Sequence, residues 1–185
     1  MMALIIGSIF YGTPKKTASL FQKGGILFFA ILVNALNTIS EINSLYAKRP
    51  IIEKQALYAF CRPLSEALAG IVTDIRVKTA VAVCFNLILY FLGGLRREPG
   101  PFFIFILSTY VANFTMSFVF KIIGTITKPF SQAIIFAGVL VLAIIIYIGF
   151  TIPRLYMHPW FKCISWINPI AYAFEALLVN ELHDQ

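Results

Sequence analysis

Asn34, Asn37, Glu41 and Ser44 follow one another at spacings of three, four and three. At 3.6 residues per turn, those spacings place all four on one helix face. They stand in and beside a charge-free run, with 17 residues between Lys23 and Glu41. A charge at the centre of a bilayer costs about 2.5–3.5 kcal/mol on insertion scales, so polar groups in such a run must face protein or water. Two uses are open to Asn34 and Asn37: interhelical hydrogen bonds of about 0.6–2 kcal/mol each, or contact with a bound molecule. Glu41, at the end of the run, either pairs with a base in the connector that follows or serves a ligand. Weaker copies of the stripe occur downstream, as Thr79, Asn86 and Tyr90, and then as Thr109, Asn113 and Ser117. Several half-polar faces meeting in one bundle predict a cavity lined by Phe, Asn, Ser and Thr. Such a lining suits greasy, weakly polar molecules better than ions, which require rings of charge or carbonyls.

Bond-breaking chemistry finds no support in the residues. The chain contains no GxxxxGK[ST] phosphate loop, no HExxH, no GxSxG and no paired intramembrane aspartates, so no catalytic residue is assigned. Its two histidines, His158 and His183, both fall in the terminal segment, where His158 reads as an interfacial residue. Cys61, Cys84 and Cys163 are far apart without CxxC spacing, so they read as apolar fillers and not as a metal site or a disulfide framework.

The elements that position the stripe follow from composition. Of 185 residues, 59% are apolar, 15% aromatic and only 12% charged, against about 45–50% apolar and about 25% charged in a soluble domain. That balance excludes a soluble globular enzyme, a disordered tail and a free nucleic-acid-binding module; the 15 Lys and Arg are scattered, not striped. A spanning helix needs about 20 apolar residues. Charge-free windows of 17, 17, 22 and 25 residues lie between Lys23 and Glu41, Lys78 and Arg96, Glu98 and Lys121, and Lys128 and Arg154. These predict spans over 20–46, 79–95, 102–121 and 130–150, with 1–11 as the end of a further span. Met1 to Tyr11 has neither the basic start nor the cleavage site of a signal peptide.

Gly12 to Ser19, Gly93 to Pro101 and Thr125 to Pro129 read as tight turns. Ala47 to Lys78 is different, being polar and amphipathic, with Leu64, Leu68, Ile71 and Ile75 at helical spacing. It predicts helices outside the hydrocarbon and an interfacial extension of the third span. Basic residues divide eight to seven between the two sides, so the positive-inside rule does not orient the chain. In 151–185, Tyr156, Trp160 and Trp166 read as headgroup-depth aromatics. Asn168 and Pro169 form an N-cap and N1 pair for a helix over AYAFEALLVNELH, too short and too acidic to cross. It reads as re-entrant or interfacial.

The runs SEINSLYAKRPIIEKQALYAFCRPLSEALAGIVTDI, FNLILYFLGGLRREPGPFFIF and YIGFTIPRLYMHPWFKCISWINPIAYAFEALLVNELH together resemble the membrane domain of G-type ABC transporters. The similarity covers almost the whole chain and is strongest to the first membrane domain of fungal pleiotropic-drug-resistance pumps. The resemblance implies an all-α polytopic transmembrane bundle with a cytoplasmic coupling helix and extracellular re-entrant helices. It makes 47–78 cytoplasmic, with Arg49, Pro50, Glu53, Lys54 and Tyr58 in the coupling element, and 151–185 extracellular. It implies a drug cavity bordered by the second and fifth spans, with Phe29, Val33, Leu36 and Asn37 as candidates beside Asn34 and Glu41 from the stripe, together with parts of Phe136 to Tyr147. Arg76 departs from the pattern, standing where related pumps usually have an apolar residue or proline.

A pump needs an ATP-driven engine, a transmitter and a two-state cavity. By the resemblance, ATP and Mg belong to nucleotide-binding domains of the same polypeptide, absent from this sequence. A second transmembrane domain supplies the opposite wall, membrane lipids surround it, and hydrophobic small molecules are the cargo; the membrane is expected to be the plasma membrane. On this reading 185 residues are part of one transmembrane domain. The alternatives are a non-transporting membrane scaffold or truncated remnant, and, with less support, a membrane-embedded lipid enzyme.

Overall fold

The computed structural model describes residues 2–9, 20–58, 62–95, 99–150 and 164–182. These form seven principal helices: α1 (Met2–Ile9), α2 (Leu20–Asn37), α3 (Ser40–Leu57), α4 (Pro63–Leu92), α5 (Pro99–Ile126), α6 (Phe130–Tyr147) and α7 (Pro169–Leu182). Four stretches are long and apolar enough to cross a membrane, namely Phe21–Leu57, Ala67–Leu92, Pro99–Ile126 and Phe130–Tyr147. The fold is an all-α bundle, and among the described residues no strand occurs.

The helices overrun the charge-free windows because backbone hydrogen bonding continues once a side chain reaches water. The 30 residues of α4 make a rod of about 45 Å at 1.5 Å per residue, longer than the about 30 Å of hydrocarbon. Its first turns stand beside the second half of α3 as a helical hairpin, the two sharing a cavity lined by Ile52, Glu53, Ala67 and Gly70. The amphipathic connector is therefore largely helical, and α3 runs through Pro50 to Leu57. Between α2 and α3 the rod is interrupted: Thr38 and Ile39 form a turn in which the N–H groups of Thr38 and Ile39 bond the carbonyls of Ala35 and Leu36. At the far end of α4, Gly94 turns the chain at φ +62, a left-handed conformation that costs a side-chain-bearing residue energy.

The core lies where α2 and α5 meet. Ile26, Ala30, Ile31, Phe105, Met116 and Phe120 are almost wholly buried. The outward faces of α5 and α6 are aliphatic and aromatic, with Phe103, Leu107, Ile135, Val139 and Leu142 all exposed, as expected where lipid replaces water. The terminal helix starts as its sequence predicts. Asn168 Oδ1 accepts from the N–H of Ile170 at 3.0 Å, and Pro169 occupies the first helical position. This helix packs on α2, α5 and α6, at the end of the bundle opposite the α3–α4 hairpin. Phe150 stacks with Phe21 and Phe28, at 5.2 and 5.0 Å between ring centroids, and meets Phe174 edge-on. Tyr156, His158, Trp160, Cys61, Cys163 and His183 lie outside the described residues; Trp166 is exposed.

Candidate functional site

The polar stripe divides. Helix spacing alone puts Asn34, Asn37, Glu41 and Ser44 together, but the turn at Thr38 and Ile39 breaks the rod between them. Asn34 is buried at 2% exposure. Its Nδ2 donates to Asn86 Oδ1 at 3.3 Å and to the Ala30 carbonyl at 2.8 Å, and its Oδ1 accepts from Asn113 Nδ2 at 3.4 Å. Asn86 Nδ2 in turn donates to Thr109 Oγ1 at 2.9 Å. Asn37 and Ser44 are exposed. The polar faces of α2, α4 and α5 thus meet, as expected, but instead of enclosing a cavity they close on one another. The physical reason is that three buried amides and a hydroxyl supply most of each other's donors and acceptors, with Asn113 Oδ1 left without a donor, whereas an empty apolar cavity would leave all of them unpaired. Of the two uses open to it, Asn34 makes interhelical hydrogen bonds.

Glu41 takes the pairing role. Its Oε1 is 2.5 Å from Lys78 Nζ on α4 and accepts from the Ser117 hydroxyl on α5, which also accepts from Lys78. Lys121 lies 3.6 Å from Glu41 Oε2 and 2.7 Å from Asp74 Oδ2. Two carboxylates and two ammonium groups from three helices thus form a neutral cluster level with the span ends, which offsets part of their desolvation. The base that meets Glu41 is Lys78, the last residue of the connector, carried on α4. In the sequence, Lys78 and Lys121 stand out only as charges at window edges, and Asp74 only as one of the charges of the connector. Arg76, beside them in sequence, is exposed.

Phe29, Val33, Leu36 and Asn37 lie on the remaining face of α2. Phe29 and Leu36 stay 40% and 39% exposed, and Val33 is half-buried. Their neighbours Ala30, Ile31, Asn34 and Ala35 are buried, so α2 presents one packed face and one open face. Phe136 of α6 is also exposed.

The coupling candidates occupy the second half of α3 and its end. Arg49 reaches the α5–α6 turn. Its Nη1 donates to the carbonyls of Thr127 and Lys128 at 3.2 and 3.1 Å, and its guanidinium lies 5.1 Å over the Tyr46 ring. The Tyr46 hydroxyl donates to the Thr127 carbonyl at 2.7 Å, and its ring meets Phe130 edge-on. Carbonyls just past a helix C-terminus lack intrahelical donors and carry partial negative charge, so a cation and a phenol cap them well. The hairpin is thereby fastened to the α5–α6 turn. Pro50, Glu53, Lys54 and Tyr58 are exposed along the same half of α3 and its end.

The described residues thus form a helical bundle with an ion-paired end, a helical hairpin and one open apolar face. Residues 1–182 match the family described as ABC-2 type transporter, and the chain belongs to that family. Among curated relatives, the ABC multidrug transporter atrI of Aspergillus fumigatus is 56% identical over 99% of this chain. The ABC multidrug transporter atrA of Aspergillus oryzae is 56% identical over 97% of it, and the ABC multidrug transporter MDR3 of Trichophyton rubrum 50% over 100%. The chain spans 12% of the length of each of these relatives. It is a multi-pass membrane segment of the kind found in fungal ABC multidrug transporters.

Proposed function

We propose that this segment forms one wall of the export path of an ATP-driven pump for hydrophobic drugs, xenobiotics or lipids in the plasma membrane. The observation that carries the reading is the two-sidedness of α2. Its packed face fixes the helix in the bundle, while Phe29, Val33, Leu36 and Asn37 are left for another surface. A second transmembrane domain facing them closes a cavity whose apolar walls and few polar groups suit amphipathic cargo.

The α3–α4 hairpin is the transmitter on this reading. A nucleotide-binding domain of the same polypeptide, holding ATP and Mg, docks on Pro50, Glu53, Lys54 and Tyr58 from the cytoplasm. Arg49 carries the displacement to the α5–α6 turn. Nucleotide shifts the bundle only to the extent that its two states differ in these contacts. This chain supplies no hydrolytic residue to the cycle.

The test is efflux of a fluorescent hydrophobic dye from cells expressing the full-length gene. Deleting residues 48–58 abolishes efflux while protein still reaches the membrane. Undiminished efflux overturns the transmitter assignment, and no efflux from the intact gene favours a non-transporting scaffold.

A further inference from the structure

Lys23 and Asn34 stand eleven positions apart on α2, about three turns and about 16 Å of rise, so their side chains leave the same side of the helix. Leu27 and Ala30 lie on the line between them and are buried too. Each end of this line carries a directional contact. Lys23 pairs with Glu181 of α7 at 3.0 Å, and Asn34 bonds Asn86 of α4 and Asn113 of α5. Phe29 and Leu36, on the open face, lie about 140° and about 160° around the helix from Asn34, at about 100° per residue.

The amide junction is poorly built as a source of stability. Its two interhelical bonds to Asn34 run to 3.3 and 3.4 Å, beyond the usual range of about 2.7–3.2 Å. Asn113 Oδ1 is buried without a donor. A polar group of this kind in an apolar core specifies register at a cost in stability.

The register it specifies is rotational. Ala30, Ile31 and Ala35 are buried beside Asn34, and their apolar contacts have no preferred direction. They hold the angle of α2 about its own axis less sharply than an amide pair does. Side chains end about 5–6 Å from that axis, so a turn of about 20° moves Phe29 by about 2 Å. Such a displacement is comparable to adding or removing a methylene in a binding wall, which changes discrimination about tenfold or more.

We propose that Asn34 and Asn86 are positioning residues for cargo selection. With the Lys23–Glu181 pair, their junction fixes the rotation of α2 and so decides which side chains the helix turns toward the export path. Neither amide touches cargo. The inference deepens the reading of α2 as a wall of that path and rests on it.

The test uses the full-length transporter and two fluorescent hydrophobic dyes of different size, with kcat/KM for efflux measured for each. Asn86→Leu is expected to shift the ratio between the dyes about threefold or more, although Asn86 is buried on α4, away from the open face. Asn113→Leu removes the other interhelical bond to Asn34, together with the unpaired acceptor, and is expected to shift the ratio as well. In combination with Phe29→Ala, the Asn86→Leu shift is expected to fall well short of the product of the two single shifts, because both act through one ring. Phe120→Leu, a buried truncation on α5 seven positions from Asn113, lowers the melting temperature without touching the junction and leaves the ratio unchanged.

Labelling reads the rotation itself. Leu32→Cys and Asn37→Cys stand at the two edges of the open face, about 140° apart. With Asn86→Leu present, a membrane-permeant maleimide is expected to label one of them faster and the other more slowly, as mapped by mass spectrometry. Faster labelling of both shows general loosening and would overturn the proposal. So would an unchanged dye ratio in Asn86→Leu and Asn113→Leu, or an equal shift in Phe120→Leu. A dye ratio insensitive to Phe29→Ala defeats the wall reading itself, whereas sensitivity to Phe29→Ala without sensitivity to Asn86→Leu defeats only the positioning role.

Discussion

Lys23 Nζ and Glu181 Oε1, 158 positions apart in sequence, meet at 3.0 Å with side chains only 9% and 5% exposed. The pair ties the start of α2 to the end of α7, beside the Phe150 and Phe174 rings. Lys23 reads in sequence as a span-flanking charge and Glu181 as part of a short acidic helix. Their meeting is a property of the folded chain alone.

Breaking this pair on one side removes a charge-assisted bond from a buried site. Lys23→Met and Glu181→Gln are each expected to destabilise the full-length protein, by about 1–3 kcal/mol. The double replacement Lys23→Met with Glu181→Leu is expected to recover most of the loss. Thermal melting of detergent-solubilised protein, followed by size-exclusion fluorescence, reads both; equal melting of single and double variants would show that the ions do not depend on each other.

Asn86 joins α2 to α5 through Asn34 and Thr109. Asn86→Leu removes both bonds and leaves Asn34 without that acceptor, which predicts a loss of about 1–3 kcal/mol. Asn37→Leu, on the exposed side of α2, is expected to change stability by less than about 0.5 kcal/mol. Melting of the two variants in parallel checks this, and the order of the two losses is the decisive outcome.

Arg49 fastens the hairpin to the α5–α6 turn through two carbonyls. Arg49→Ala is expected to reduce drug-stimulated ATP hydrolysis by the full-length pump while sparing its ATP affinity, because no nucleotide contact is altered. Arg49→Lys recovers part of the stimulation, since an ammonium reaches those carbonyls without the planar fork. A parallel fall in ATP binding would place Arg49 in another role.

Phe29 and Leu36 are partly exposed, so replacing them disturbs packing less than core truncation does. Phe29→Ala and Leu36→Ala are expected to preserve membrane expression and to alter efflux by different factors for different dyes. Each lost aromatic or aliphatic contact is worth about 1–3 kcal/mol, or roughly 10–200-fold in discrimination. Efflux rates for a panel of dyes of graded size provide the measurement, and a uniform change across the panel would argue against direct contact.

Much of this architecture is legible in the residues. Charge-free windows locate all four long spans, because charge is excluded from hydrocarbon over a length set by the bilayer. Asn168 and Pro169 mark the start of α7, because capping is local chemistry. The polar positions Asn34, Asn86, Thr109, Asn113 and Ser117 all stand out as misfits in apolar helices. Helical periodicity places Asn34 and Asn37 together, but the packing of α4 and α5 buries Asn34 and leaves Asn37 exposed.

The sequence by itself determined that this chain is a membrane segment, how many of its helices are long and apolar enough to cross and which residues are too polar to face lipid. Those properties depend on composition and on spacing along one helix. The tertiary structure alone decided which partners satisfy those polar groups: Asn86 for Asn34, Lys78 for Glu41, Glu181 for Lys23 and the α5 end for Arg49. It also decided which face of α2 stays open. Each of these is a contact between distant segments, and a helix's own periodicity carries no information about which neighbour will stand beside it.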